Sequence, residues 1–169
     1  MSGNRSSAVR LVPLEKPIIY FGCSMLGGCP HVSREELAEF PGLIRSLGCE
    51  LASDHQTQPG VIEAEACLDP TYIHDRDFVW LLESHAGVFE TSNPSLGVGG
   101  EISDMIHMGK PVLLLYQEKM ANQISAYIRG KSGSKFVRSA VVCQPYKDMA
   151  TAREIIDEFI EAHVSLEAI

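Results

Sequence analysis

Ala86-Gly87-Val88-Phe89, followed by Ser92-Asn93-Pro94-Ser95-Leu96-Gly97-Val98-Gly99-Gly100-Glu101, is the segment on which the architecture of this chain turns. An apolar run of that length suits a strand covered on both faces, and Ile102, Met105 and Ile106 beyond it recur at helical spacing. The pattern predicts a strand, a glycine-bearing turn, and a helix that opens at Glu101. Free N–H groups at a helix start favour negative charge, so Glu101 is expected to be ionised and aimed at whatever the loop binds, a candidate nucleophile. The plainer alternative is a carboxylate that complements the helix dipole from its first turn.

Toward the N-terminus, Pro17-Ile18-Ile19-Tyr20-Phe21 is a second apolar run, ending in Gly22-Cys23-Ser24-Met25-Leu26-Gly27-Gly28. Both glycine-bearing turns belong at the carboxyl edge of an open α/β sheet, where ligands bind. Neither is a standard nucleotide motif: no Gly-Lys-Ser/Thr follows Gly22, and Gly97-Val98-Gly99-Gly100 does not continue as a dinucleotide fingerprint. Ser33 and Glu36 have capping-box spacing, and the helix after them should stop at Gly48, with Pro41 bending or interrupting it. Glu50 to Ser53 reads as the next strand, delivering Asp54 and His55 to the same edge; His55 either contacts a ligand there or is a surface loop histidine. Residues 56–67 read as a polar loop, a candidate lid.

Asp69-Pro70 is a cap followed by proline, opening a helix to Glu83. On it Asp77 shares the apolar face of Ile73, Trp80 and Leu81, while Asp75, Arg76 and Glu83 point elsewhere. A carboxylate so placed is either a hydrogen-bonded anchor or a pocket acid of raised pKa. Past Glu101 the helix should close at Met108 with Gly109 and Lys110, and Pro111 to Tyr116 forms a strand. A helix over Lys119–Arg129, an edge strand over Phe136–Cys143 and a helix over Asp148–Val164 complete an alternating order. The expectation is a single doubly wound α/β domain, Rossmann-like or flavodoxin-like, with a five-stranded, mainly parallel sheet over residues 16–165 behind a flexible tail, residues 1–15.

At 169 residues, 45% hydrophobic and 21% charged, the composition is that of one globular domain. Fourteen Lys and Arg against 22 Asp and Glu give a net charge of -8, which argues against a nucleic acid polymer or an anionic membrane as partner. No apolar run approaches the roughly 20 residues of a membrane span. The five cysteines, Cys23, Cys29, Cys49, Cys67 and Cys143, form no C-x-x-C pair and suit a reducing cytosol or nucleus, with Cys23, Cys49 and Cys143 as small buried hydrophobes. The six histidines lack metal-ligand spacing, so no metal is expected; the expectation for cofactors is likewise none.

Four segments, Tyr20–Gly28, His74–Trp80, Pro94–Glu101 and Ile124–Gly130, together resemble the 2'-deoxynucleoside 5'-monophosphate N-glycosidases, relatives of the nucleoside 2-deoxyribosyltransferases. The resemblance spans most of residues 17–160. It implies hydrolysis of the N-glycosidic bond of a deoxynucleoside 5'-monophosphate to free base and 2-deoxyribose 5-phosphate. Glu101 matches the carboxylate that attacks the anomeric carbon, Asp77 a second acid that orients the reacting groups and handles the base's proton, and Tyr20 a tyrosine beside the sugar. Cys23, Ser24, Met25, Leu26, Gly27 and Gly28, with Ser95 and Gly97, match the turns that cradle the 5'-phosphate, and His55 a histidine near the base. Ser125, with Ala126 beside it, matches a serine lent by the partner subunit, which implies a homodimer. Leu26 stands where the family usually has Arg, and Gly100 where a tyrosine is common, so base exchange and non-catalytic nucleotide binding stay open as alternatives.

Overall fold

The computed structural model describes residues 16–25, 29–53 and 55–164. Leu26, Gly27, Gly28, Asp54 and the expected N-terminal tail lie outside the described residues. The apolar runs become five strands, β1 (Ile18–Gly22), β2 (Glu50–Ser53), β3 (Ala86–Glu90), β4 (Val112–Gln117) and β5 (Val141–Tyr146), in the order β2-β1-β3-β4-β5. All pairings are parallel. The winding reverses between β1 and β3, and their register sets Gly22 beside Phe89, so both glycine-bearing turns leave the sheet side by side. In such a fold that crevice is where ligands bind.

Alternation along β1 builds two cores. Phe21 points into one with Leu37, Phe40, Ile44, Ile156 and Phe159; Tyr20 points into the other with Leu81, Phe89, Val98, Ile102 and Met105. The first layer comprises α1 (Arg34–Leu37), α2 (Glu39–Ser46) and α7 (Met149–His163); α3 is Val61–Glu65, and the second layer comprises α4 (Pro70–Glu83) and α5 (Leu96–His107). Each large apolar side chain taken from water contributes about 1.5–3 kcal/mol, so both sheet faces are held firmly.

The Ser33–Glu36 capping box is present, with both reciprocal hydrogen bonds. Helix α1 breaks at Ala38 because Pro41, in the first turn of α2, has no N–H for the carbonyl of Leu37 and its ring crowds it. Asp69 caps α4 as the sequence predicts, and Gly48 and Gly109 end their helices with φ of 84° and 77°.

Four boundaries differ from expectation. Residues 56–67 are not a structureless loop: a 3-10 turn at His55–Thr57 and then α3 occupy them, with Val61 buried. In place of one helix over Lys119–Arg129 there is a 3-10 turn at Glu118–Met120, then α6 (Ala126–Arg129) and a 3-10 turn at Gly130–Gly133. Met120 and Ile124 pack with Tyr116, and Ser125, at ψ 118°, breaks the helical path between them and α6. β5 begins at Val141, not Phe136, whose ring is 84% exposed, and it carries Pro145 as only an edge strand tolerates. Lys110 does not serve its own helix: its ammonium donates to the carbonyls of Leu81 (2.9 Å), Leu82 (2.5 Å) and Ser84 (2.5 Å) at the end of α4.

The fourth boundary changes the site. α5 begins at Leu96, with Ser95 as its cap accepting from the Val98 N–H at 3.3 Å. Gly97, Gly99 and Gly100 are therefore helical, against a propensity cost of about 1 kcal/mol each. Glu101 lies in the second turn, away from the free N–H groups expected around it.

Candidate active site

Tyr20, completely buried, rises from β1 toward the carboxyl edge. Two residues on, Gly22 is required by close approach: a Cβ there would sit 2.5 Å from the Phe89 ring and 3.1 Å from Glu101 Oε2. The bare backbone lets the second turn of α5 press its carboxylate against the end of β1. Oε2 of Glu101 is buried and has no hydrogen-bond partner among the described residues. Burial, then the charge of Asp77, pushes the Glu101 carboxyl up to about 7, with Asp104 adding and a hydrogen bond from Tyr20 opposing. The expected constitutively ionised carboxylate is thus corrected: with its helix start five residues away in sequence, desolvation dominates. Tyr20 is itself held well above the ordinary phenol range by burial, then by Glu101 and Asp77.

Asp77 faces this pair from α4 and is anchored. Arg76, expected to point elsewhere, turns its long side chain back along the helix and donates from Nε (2.9 Å) and Nη2 (2.8 Å) to Asp77 Oδ1. The same guanidinium grips Glu65 of α3 at 2.7 Å and 3.0 Å and lies 4.7 Å over the Trp80 ring. That grip lowers the Glu65 carboxyl and raises the guanidinium further still. His55 is half-buried in the same cluster, its ring 4.8 Å from Trp80, Nε2 3.2 Å from Arg76 and Nδ1 2.6 Å from Ser53 Oγ. Gln56, at the turn after β2, is 6% exposed and donates from Nε2 to the Tyr20 hydroxyl at 3.4 Å. Sequence reasoning does not single out Arg76, Glu65 or Gln56 as site residues; Arg76 adjoins Asp77 and Gln56 adjoins His55, whereas Glu65 carries no local signal.

The serines form a second group. Ser24, buried, donates to the Pro94 carbonyl at 3.4 Å, tying the first turn to the second. Ser95 and Ser125 of the same chain line a hollow of about 710 Å³ with Ser92, Asn93, Gly99 and Tyr127. Tyr20, Asp77 and Glu101 do not line it, so this hollow is not the acidic centre. Gly97 is exposed in the first turn of α5 and Ala126 is exposed at the start of α6. Met25 spends its carbonyl on Arg34 at 2.9 Å. The Cys23 thiol, buried, is pushed up to about 12, by burial first and then by Glu90 and Glu101, so it is inert packing rather than a nucleophile. Cys49 is likewise buried, whereas Cys143 is only half-buried.

A buried carboxylate with one unmet oxygen, a phenol beside it and a second carboxylate opposite can supply an electron pair to an electrophilic carbon and shelter positive charge as it develops. No protein-family model matches the chain. It is 38% identical over 125 residues to a protein of Nematostella vectensis provisionally named 2'-deoxynucleoside 5'-phosphate N-hydrolase 1, covering 69% of this chain and 79% of that one. It is 37% identical over 146 residues to the 5-hydroxymethyl-dUMP N-hydrolase of Danio rerio, covering 85% of this chain and 95% of that one. Among solved structures, the CMP N-glycosidase of Clostridium botulinum superposes with a TM-score of 0.61 at 19% identity over 84% of this chain and 98% of its own, a likeness of fold.

Proposed function

This chain belongs to the 2'-deoxynucleoside 5'-phosphate N-hydrolase family, and from that premise we propose that it hydrolyses the N-glycosidic bond of 2'-deoxyribonucleoside 5'-monophosphates to free base and 2-deoxyribose 5-phosphate. The observation that carries the proposal is the convergence of Tyr20, Asp77 and Glu101 about a buried, unpartnered carboxylate oxygen at the switch between β1 and β3. The base departs with the electron pair of the C1'–N bond and takes up a proton from solvent, leaving positive charge on the sugar ring. Glu101 in its ionised form bonds to C1' from the face opposite the base, and water then releases the sugar phosphate with Glu101 regenerated. Tyr20 donates to Glu101 and steadies the charge it carries. Asp77, anchored by Arg76, orients the reacting groups and favours the ring cation. His55, beside Trp80, flanks the base. Missing the electron-withdrawing 2'-hydroxyl, deoxyribose forms that cation more easily.

Ser24, Ser95 and the backbone of the two turns hold the 5'-phosphate, with Ser95 at the start of α5, where N–H groups favour an anion. Ser125 contributes across a homodimer interface; Leu96, 98% exposed, and Tyr127, 78% exposed, support that pairing. No described helix is long and apolar enough to cross a membrane, and the five free thiols support a cytoplasmic or nuclear location.

Incubation with deoxy- and ribonucleoside monophosphates, read by mass spectrometry for free base, tests the function. Base is released from deoxynucleotides and not by Glu101→Ala; release from none of them overturns the proposal. A second free base in the mixture distinguishes hydrolysis from base exchange, which would yield the crossed nucleotide.

A further inference from the structure

Glu90, at the end of β3, is a completely buried carboxylate that the hydrolysis proposed above does not use. Among the described residues its hydrogen-bond partners are all donors. The Ser92 hydroxyl donates to Oε1 at 2.5 Å, the Ser92 N–H lies 3.3 Å from Oε1 and 3.2 Å from Oε2, and the Tyr146 hydroxyl reaches Oε1 from β5 at 3.2 Å. Such a shell fits an acceptor-only carboxylate better than an amide, which would turn donors of its own toward it. Burial opposes the charge, and an apolar residue of similar size would escape that cost, so packing alone does not explain a glutamate here.

What the carboxylate holds is the turn from β3 into α5. Thr91 is fixed to the neighbouring strand, its N–H and its hydroxyl both donating to the Leu115 carbonyl at 2.8 Å. Ser92, besides its donations to Glu90, accepts from the Gln117 N–H at 2.8 Å. Asn93, buried, accepts from the His31 N–H at 3.0 Å and donates to the Val32 carbonyl at 2.8 Å. The Pro94 carbonyl accepts from Ser24, and Ser95 caps α5. Each residue from Thr91 to Ser95 is therefore tied, and of these ties the one at Ser92 runs to an ionisable side chain.

We infer that Glu90 is a positioning residue for the 5'-phosphate site proposed above: through Ser92 it holds the turn that sets Ser95 and the first N–H groups of α5 before the ligand arrives. The inference rests on that functional reading. A site already in its bound arrangement takes up the phosphate without the cost of ordering the turn. Loosening Ser92 removes that advantage and leaves the chemistry at Glu101 as it is. The ionisable groups that face Glu90 are Tyr146 from β5, Cys23 just beyond β1 and Glu36 from α1. Burial pushes the Glu90 carboxyl up to about 7, so the ionised form that its donors fit prevails at pH 8.5, where the test is made.

The test measures turnover of a deoxynucleoside 5'-monophosphate and calorimetric binding of 2-deoxyribose 5-phosphate by wild type, Glu90→Gln, Ser92→Ala, their double variant and Tyr146→Phe. Glu90→Gln raises both KM and Kd about tenfold, the loss of one hydrogen bond to a charged group, while kcat stays within about twofold of wild type. Ser92→Ala cuts the same tie from its other end, and stands in if Glu90→Gln fails to fold. It raises KM and Kd equally, and the double variant raises them no further. Tyr146→Phe takes a different donor from Glu90 and leaves Ser92 tied, so it lowers Tm without moving Kd. A wild-type Kd in Glu90→Gln and Ser92→Ala, effects of the two that multiply, or a Kd that rises in Tyr146→Phe along with the loss of Tm overturns the inference. Wild type that binds the sugar phosphate but releases no base refutes the hydrolysis, and the Kd comparison still decides the role of Glu90. Wild type that binds no sugar phosphate overturns both.

Discussion

Replacing Glu101 by glutamine should stabilise the protein above neutral pH while abolishing turnover. The Glu101 carboxyl moves from an ordinary 4.5 to about 7, chiefly because burial penalises its charged form. Below about pH 4 the group is protonated in both the folded and the unfolded chain, and it contributes no difference. Between 4.5 and about 7 the unfolded chain releases the proton that the folded chain retains, so stability falls as pH rises. Above that window the folded state carries the full penalty; at about 1.4 kcal/mol per pH unit the gap amounts to about 3 kcal/mol. Glutamine keeps the shape and never ionises, so the variant escapes the penalty. Urea unfolding near pH 4 should find variant and wild type alike, whereas near pH 8.5 the variant should be more stable by about 3 kcal/mol, or roughly 10 °C in Tm for a chain of this size. The variant still loses some stability between 4.5 and about 7, because burial also pushes Glu90 up to about 7 despite its hydrogen bonds to Ser92 and Tyr146. A gain of equal size at both pH values, or a loss at pH 8.5, would refute the reasoning.

Gly22→Ala places a methyl 2.5 Å from the Phe89 ring and 3.1 Å from Glu101 Oε2, and since Phe89 is fully buried the strain should cost about 1–3 kcal/mol in urea unfolding, with kcat reduced alongside. Arg76→Met leaves Glu65 and Asp77 without their shared cation; a loss of about 2 kcal/mol, faster amide exchange across Val61–Glu65, and non-additivity with Glu65→Gln are expected. Ser95→Ala removes the α5 cap and should lower stability by about 1 kcal/mol. Ser95→Asp restores the cap yet repels the phosphate, so Tm recovers while KM for the nucleotide rises; recovery of both would show that Ser95 does not touch the phosphate.

Elements with local chemical markers were readable from sequence. Ser33 with Glu36, Asp69 with Pro70, and the run Glu50–Ser53 act through neighbours a few residues away, and each lies where its pattern predicts. Gly97, Gly99 and Gly100 misled because propensity counts against them one at a time, while α5 gains its stability from Val98, Ile102 and Met105 packing on the sheet. Ser95, three residues before the Val98 N–H it caps, was the overlooked sign of the true helix start. Helical periodicity placed Asp77 correctly but failed for Arg76, since a face is assigned by its Cα while a long side chain reaches back around the cylinder to Asp77 and Glu65. The close packing around Glu101 on α5 depends on Gly22 of β1 beside Phe89 of β3, and no local sequence pattern joins the three. Phe136–Ser139 alternates like a strand but has no registered pairing on the sheet; contact with β4 begins at the Ala140 carbonyl, which accepts from the Val112 N–H at 2.8 Å, and the paired register at Val141.

The three carbonyls gathered by Lys110 join, at their far ends, the two helices that bear the carboxylates of the acidic centre. α4 carries Asp77 and α5 carries Glu101, and one ammonium fastens the tail of the first helix to the chain leaving the second. Acetylation of that single amine would remove its charge and leave it one N–H, so at least two of the carbonyls of Leu81, Leu82 and Ser84 would lose the donor that now closes the end of α4, with every residue of the pocket left chemically intact.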